Sequence, residues 1–134
     1  MRVQSAVQYE KKGKLFGGET FYSCLMIKEG TRAGILEAAD TDMKYHPDLV
    51  EWRLDYCMPM EDTDFAEEIL VGTADLLAER LGETPLLITY RIKEEGGIKK
   101  YPRDLRLRMV KAVINTGHID FIDVEIGSDQ PYIN

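Results

Sequence analysis

This 134-residue sequence lacks the features that several classes of protein require. It has two cysteines, Cys24 and Cys57, in no CxxC or Cys/His spacing, which argues against a disulfide framework and against a zinc site. No apolar run reaches membrane-spanning length, and the polar residues 1–14 do not resemble a signal peptide. We therefore expect a cytoplasmic protein with reduced thiols and no membrane span.

Positive charge is scarce as well. The sequence has 17 Lys and Arg residues against 24 Asp and Glu residues, which gives a formal net charge of −7. A field of that sign repels a phosphate backbone, so we expect no nucleic-acid partner. The length supports one core of ordinary domain size, and we expect residues 1–134 to form a single domain.

What the sequence does contain is a regular alternation of short apolar runs and longer amphipathic runs. The short runs predict four strands, at residues 21–27, 49–55, 85–91 and 120–126. Apolar residues at helical spacing fill the intervals, with Thr31 and Pro102 at helix starts and Gly82 and Gly117 at helix ends. Strands that alternate with helices predict a parallel sheet, either doubly wound or part of a (β/α) barrel.

Charged residues inside two predicted strands favour the barrel. Glu51, Arg53 and Asp55 alternate along the second strand, and Asp123 and Glu125 alternate along the fourth. Burying such charges is unfavourable unless they pair or contact a polar ligand, so this face is expected to line a polar lumen. We therefore predict an α/β fold of the TIM-barrel type, consisting of the first four βα units of a (β/α) barrel.

Three smaller expectations complete the fold. The alternation of Val3, Val7 and Tyr9 predicts a hairpin over residues 3–15, within a cap segment 1–20 that precedes the half-barrel at 21–126. We expect Trp52 and Phe121 to pack under the helices, on the face away from the lumen. The two cysteines are expected to be small packing residues.

Three segments together resemble a known family. They are EWRLD at 51–55, TYRIKEEGG at 89–97 and IDVE at 122–125. In kind, order and spacing they are similar to successive signatures of type I 3-dehydroquinate dehydratase. The resemblance covers roughly residues 20–127. It implies a (β/α)8 barrel of which these four strands are the first half.

The resemblance also implies a lyase of the shikimate pathway, which supplies aromatic amino acid biosynthesis. Family members convert 3-dehydroquinate to 3-dehydroshikimate and water without a cofactor or metal, through an imine on a lysine and proton transfer by a histidine. By resemblance, Glu51 and Arg53 hold the hydroxyls and polar edge of the substrate, and Arg91 is another substrate-facing arginine. Glu95 matches the carboxylate that orients the catalytic histidine. That histidine and the lysine are expected on later strands, so this chain alone is expected to be inactive.

Other readings of these residues stay open. Glu51, Arg53 and Arg91 could form an ion-pair network inside the lumen, and Glu95 could be a surface carboxylate beside Gly96. The chain could equally be a non-catalytic half-barrel relative that binds or self-associates. Because both edge strands of a half-barrel lack a neighbour, we expect either a homodimer or a complementing C-terminal half as partner, besides a small-molecule substrate similar to 3-dehydroquinate.

Overall fold

The computed structural model describes residues 8–57, 63–93, 96–97 and 102–123. Its strands are β1 (Tyr9–Lys11), β2 (Lys14–Phe16), β3 (Cys24–Ile27), β4 (Leu49–Arg53), β5 (Leu86–Thr89) and β6 (Phe121–Asp123). Its α-helices are α1 (Arg32–Met43), α2 (Thr63–Leu81) and α3 (Arg103–Ile114), and one 3-10 turn covers Leu54–Cys57. In these ranges no helix combines the length and the apolar character that crossing a membrane needs.

The main sheet is parallel and follows the chain. Its strand order is β3-β4-β5-β6, and every neighbouring pair is parallel. Helices α1, α2 and α3 pack side by side in the same order. Sequential order with helical crossovers is the arrangement of a (β/α) barrel, whereas a doubly wound sheet changes direction at a switch point. The predicted half-barrel is confirmed.

The predicted helix ends have identifiable local causes. Thr31 caps α1, since its hydroxyl oxygen accepts a hydrogen bond from the amide of Gly34 at 3.1 Å. Gly82 follows α2 with a φ of +56°, and Gly117 ends the turn after α3 with a φ of +81°. Only glycine adopts these left-handed conformations at little cost, so the chain leaves both helices where the sequence places glycine.

The core lies between the outer face of the sheet and the helices. Trp52 and Ile88 are buried on that face, and Leu77 of α2 and Met109 of α3 pack in the same cluster. Each such side chain stabilises the fold by about 1.5–3 kcal/mol through removal of apolar surface from water. Trp52 thus packs under the helices, as its position in the strand predicts.

Phe121 does not pack there. It is in register with Leu87 of β5 and shares its strand parity with Asp123, so it lies on the lumen face. Its ring contacts Phe16 of β2, with 4.8 Å between centroids. The expectation for Phe121 is wrong because the neighbour with core parity is Ile122, which packs against the core cluster.

The second predicted strand is shorter than its apolar run, and the fourth predicted strand is described only in part. Strand β4 ends at Arg53, and Asp55 belongs to the 3-10 turn that follows. Strand alternation therefore places Glu51 and Arg53 on the same face but does not apply to Asp55. Strand β6 is described over Phe121–Asp123, and Glu125 lies outside the described residues.

An N-terminal hairpin lies at the end of the main sheet where its strands begin. Strands β1 and β2 pair antiparallel around Lys12 and Gly13, whose φ angles are +50° and +79°. The Lys12 ammonium lies 3.1 Å from a carboxylate oxygen of Asp120 and 3.5 Å from the carbonyl of Thr84. Both partners precede a strand, so the hairpin covers the amino ends of β5 and β6. Residues 3–7 of the predicted hairpin lie outside the described residues.

Replacing Phe16 with alanine should loosen this hairpin. The ring contacts Phe121 at 4.8 Å and Tyr22 at 5.0 Å between centroids. We expect the free energy of unfolding in urea to fall by about 1–2 kcal/mol. Tyr45→Ala is the control, because Tyr45 is 75% exposed, and it should cost less than about 0.5 kcal/mol. Equal effects of the two substitutions would contradict the docking of the hairpin.

Candidate functional site

Polar side chains meet on the lumen face where β4, β5 and β6 end. Arg53, Thr89 and Asp123 are in register across the three strands and therefore form one row on the same face. Arg91 follows two residues after Thr89, and Glu51 lies two residues before Arg53 on β4. The carboxyl ends of parallel strands are the edge at which barrel and open α/β proteins carry their sites.

Arg53 is held by a side-on ion pair. Its Nε and Nη2 donate to the two carboxylate oxygens of Asp55 at 2.8 and 2.7 Å. Asp55 is fully buried, and the Arg53 guanidinium also lies 5.1 Å from the centroid of the Tyr56 ring. The hydrogen bond to Asp55 raises the pKa of Arg53 above its ordinary value, so the guanidinium keeps its charge. Two parallel hydrogen bonds and an aromatic contact fix the plane of the guanidinium.

Arg91 is held at two points. Its Nη2 donates to Asp123 at 2.6 Å, in a pair that is partly open to solvent. Its backbone amide donates to Asp55 at 3.3 Å. The carboxylate of Asp55 therefore contacts both arginines, one through the side chain and one through the main chain.

Glu51 and Thr89 bring further polar groups to the same face. The Glu51 carboxylate is half-buried and has no ion pair within the described ranges. The Thr89 hydroxyl is buried and lacks a hydrogen-bond partner. Partial burial, and then the charge of Glu51, raise the pKa of the exposed Cys24. Burial raises the pKa of Cys57 to about 12, so the packing role expected of both cysteines fits only Cys57.

The structure thus brings Glu51, Arg53 and Arg91 together on one face. Glu95 lies outside the described residues. Asp55 was identified in the sequence only as a charge in the lumen, and its contact with both arginines follows from the 3-10 turn. Thr89 was missed, although it stands two residues before Arg91 and strand parity could have indicated it. Among the side chains that the structure describes, no three His, Cys, Asp or Glu residues converge as a metal site.

Comparison with known proteins agrees with this geometry. Four parallel strands in sequential order, connected by three helices and with a charged row at the strand ends, are the arrangement of half of a (β/α)8 barrel. The type I 3-dehydroquinase profile matches residues 23–134. The chain belongs to the type I 3-dehydroquinase family, which confirms the resemblance recognised in the sequence.

Comparison with individual relatives shows what share of their length this chain matches. A 3-dehydroquinate dehydratase from Syntrophotalea carbinolica is 41% identical over 86 residues, which are 64% of this chain and 32% of that protein. The Geobacillus kaustophilus enzyme is 34% identical over 112 residues, 82% of this chain and 41% of that protein. A crystal structure of 3-dehydroquinate dehydratase from Geobacillus kaustophilus superposes with a TM-score of 0.84 at 26% identity, covering 95% of this chain and 48% of that one. The chain therefore spans less than half the length of these relatives.

The charge of Glu51 should control the reactivity of Cys24. Glu51→Gln removes a negative charge that raises the Cys24 pKa, so alkylation by iodoacetamide at pH 8 should become about threefold faster. Mass spectrometry should find the added mass on Cys24, while Cys57, with a pKa of about 12, reacts only after unfolding. Glu79→Gln is the control, on the exposed side of α2, and should not change the rate. An unchanged rate in Glu51→Gln would contradict the placement of Glu51 beside Cys24.

Proposed function

We propose that this chain provides the substrate-holding half of a 3-dehydroquinate dehydratase site. In this proposal, Glu51 and Arg53 bind the hydroxyls and polar edge of 3-dehydroquinate, and Arg91 binds beside them. Glu95 orients a catalytic histidine. The observation that carries the proposal is that Arg53 and Arg91, held by Asp55 and Asp123, share one lumen face in a chain of this family.

The chemistry of these groups suits a polyhydroxylated carboxylate. A guanidinium has five N–H donors, and Asp55 accepts from two of the nitrogens of Arg53, which leaves donors for a ligand. The Glu51 carboxylate has no ion pair with any residue that the structure describes, and it can accept hydrogen bonds from substrate hydroxyls. The alternative of a purely structural ion-pair network accounts for Arg53 and Arg91 but gives no role to Glu51.

Dehydration itself requires two further groups. A lysine amine condenses with the substrate ketone to an imine and releases water, a base removes the neighbouring proton, and the hydroxyl leaves as a second water. Hydrolysis of the imine then returns the lysine. By family resemblance that lysine and the histidine belong to the other half of the barrel, so we propose that turnover needs a complementing half.

An activity assay of the 134-residue chain, alone and mixed with the C-terminal half of the Geobacillus kaustophilus enzyme, tests this proposal. The chain alone should form no 3-dehydroshikimate, and borohydride treatment with substrate should leave its mass unchanged. The mixture should gain activity, and Arg53→Ala or Arg91→Ala should lower it by at least about a hundredfold. Arg80→Ala is the control, because Arg80 pairs with Asp40 on the helical surface. A borohydride-trapped adduct on the chain alone would refute the proposal.

A second candidate function, binding or self-association, is favoured by the open edges of the sheet. In the described structure, β3 and β6 each pair with one neighbour only. Met26 is 42% exposed on the lumen side of β3, and Phe21 before that strand is 77% exposed. Unpaired edges next to apolar side chains favour association. We propose that a second copy or a complementing half covers them, and that residues 1–134 act as one domain in the cytoplasm.

Sedimentation velocity at micromolar concentration should therefore give a dimer or a larger species. Met26→Lys places a charge in the proposed contact and should raise the dissociation constant by about tenfold or more. Tyr45→Lys changes a side chain that is 75% exposed after α1 and serves as the control. A folded monomer at the highest concentration tested would exclude association through the sheet edges.

A further inference from the structure

The carboxylate of Asp55 links the ends of the neighbouring strands β4 and β5, because it is hydrogen-bonded to both Arg53 and Arg91. One carboxylate oxygen accepts hydrogen bonds from Arg53 Nε at 2.8 Å and from the Arg91 amide at 3.3 Å. The other oxygen accepts from Arg53 Nη2 at 2.7 Å. Asp55 has no exposed surface, so the carboxylate cannot contact substrate in the lumen directly. Its influence must pass through the groups that it holds.

The local fold makes this contact possible. Strand β4 ends at Arg53, and a continued strand would carry Asp55 about 6–7 Å further along the sheet. The 3-10 turn of Leu54–Cys57 instead keeps the carboxylate beside the Arg53 side chain. The side-on pair uses Nε and Nη2, and Nη1 lies 3.9 Å from the sulfur of Met26 on β3. The edge of the guanidinium away from Asp55 therefore faces β3, where Nη1 donates to the sulfur of Met26.

We propose that Asp55 is a positioning residue for substrate binding: it sets the Arg53 guanidinium and the Arg91 main chain as one unit that recognises a polyhydroxylated carboxylate. This role rests on the proposed function above. The Thr89 hydroxyl, which is buried and has no hydrogen-bond partner among the described residues, lies in register with Arg53 in the same row. A buried ion pair is weak evidence for stability by itself, which favours a role in geometry over one in folding.

The chain offers a matched control for a merely structural role. At the opposite end of the sheet, Asp120 makes the same kinds of contact. Its carboxylate pairs with Lys12 at 3.1 Å and accepts the amide of Leu86 at 2.9 Å. Asp120→Asn therefore removes a carboxylate that also joins a cation and a main-chain amide, in a pair that is more open to solvent, without reaching the lumen site.

The experiment compares wild type, Asp55→Asn and Asp120→Asn as the full 134-residue chain labelled with ¹⁵N. The first readout is hydrogen exchange at Arg53 Nε, and the second is the dissociation constant for quinate, a polyhydroxylated carboxylate. Asp55→Asn should speed the exchange and weaken quinate binding, each by about tenfold, since it removes a charge-assisted hydrogen bond. Asp120→Asn should keep both values within about twofold of wild type.

The outcomes separate the two proposals. If wild type binds no quinate, the proposed function fails. If wild type binds quinate and Asp55→Asn binds it as Asp120→Asn does, the positioning role is overturned, even when the exchange at Arg53 is faster. If Asp55→Asn does not fold, Asp55→Glu keeps the charge but moves the carboxylate by one methylene, and weaker quinate binding in that folded variant supports the role. Unchanged binding in Asp55→Glu overturns it.

Discussion

The polar face of this half-barrel depends on one buried ion pair, between Arg53 and Asp55. Withdrawing a carboxylate and a guanidinium from water is unfavourable, and two short parallel hydrogen bonds offset that cost. The Arg91 amide completes the set of donors around Asp55. Because this amide hydrogen bond links the turn after β4 to the chain after β5, the spacing of the two arginines follows from the backbone of two strands rather than from flexible side chains.

The two faces of the sheet carry different kinds of side chain, because successive residues of a strand point to opposite faces. Val50 and Trp52 pack among the helices, while Glu51 and Arg53 between and after them serve the lumen. Apolar burial on the outer face supplies the stability, since each large side chain contributes through the surface it removes from water. The lumen face can therefore carry charged side chains without loss of the apolar contacts that stabilise the fold.

Much of the architecture could be predicted from the sequence because it depends on local patterns. The alternation of apolar runs and helical stripes predicted a parallel sheet, and the charges on the second and fourth predicted strands favoured the barrel. Thr31, Gly82 and Gly117 marked helix boundaries. The predictions that the structure contradicts concern positions where contacts with other parts of the chain determine the local structure. Leu54–Cys57 leave the strand for a turn, and the site of Phe121 depends on strand parity and on the hairpin that meets it. No pattern in one sequence indicates that Asp55 reaches the amide of Arg91, because that hydrogen bond joins two strands.

The ion pair between Lys12 and Asp120 connects parts of the chain that are synthesised far apart. The hairpin of β1 and β2 makes this ion pair only when the chain before β6 is in place against β5. Contacts of such long sequence separation close late in folding, because the entropy of the intervening loop opposes them. We therefore expect the hairpin to reach its final position late in folding, after the four strands of the main sheet have paired.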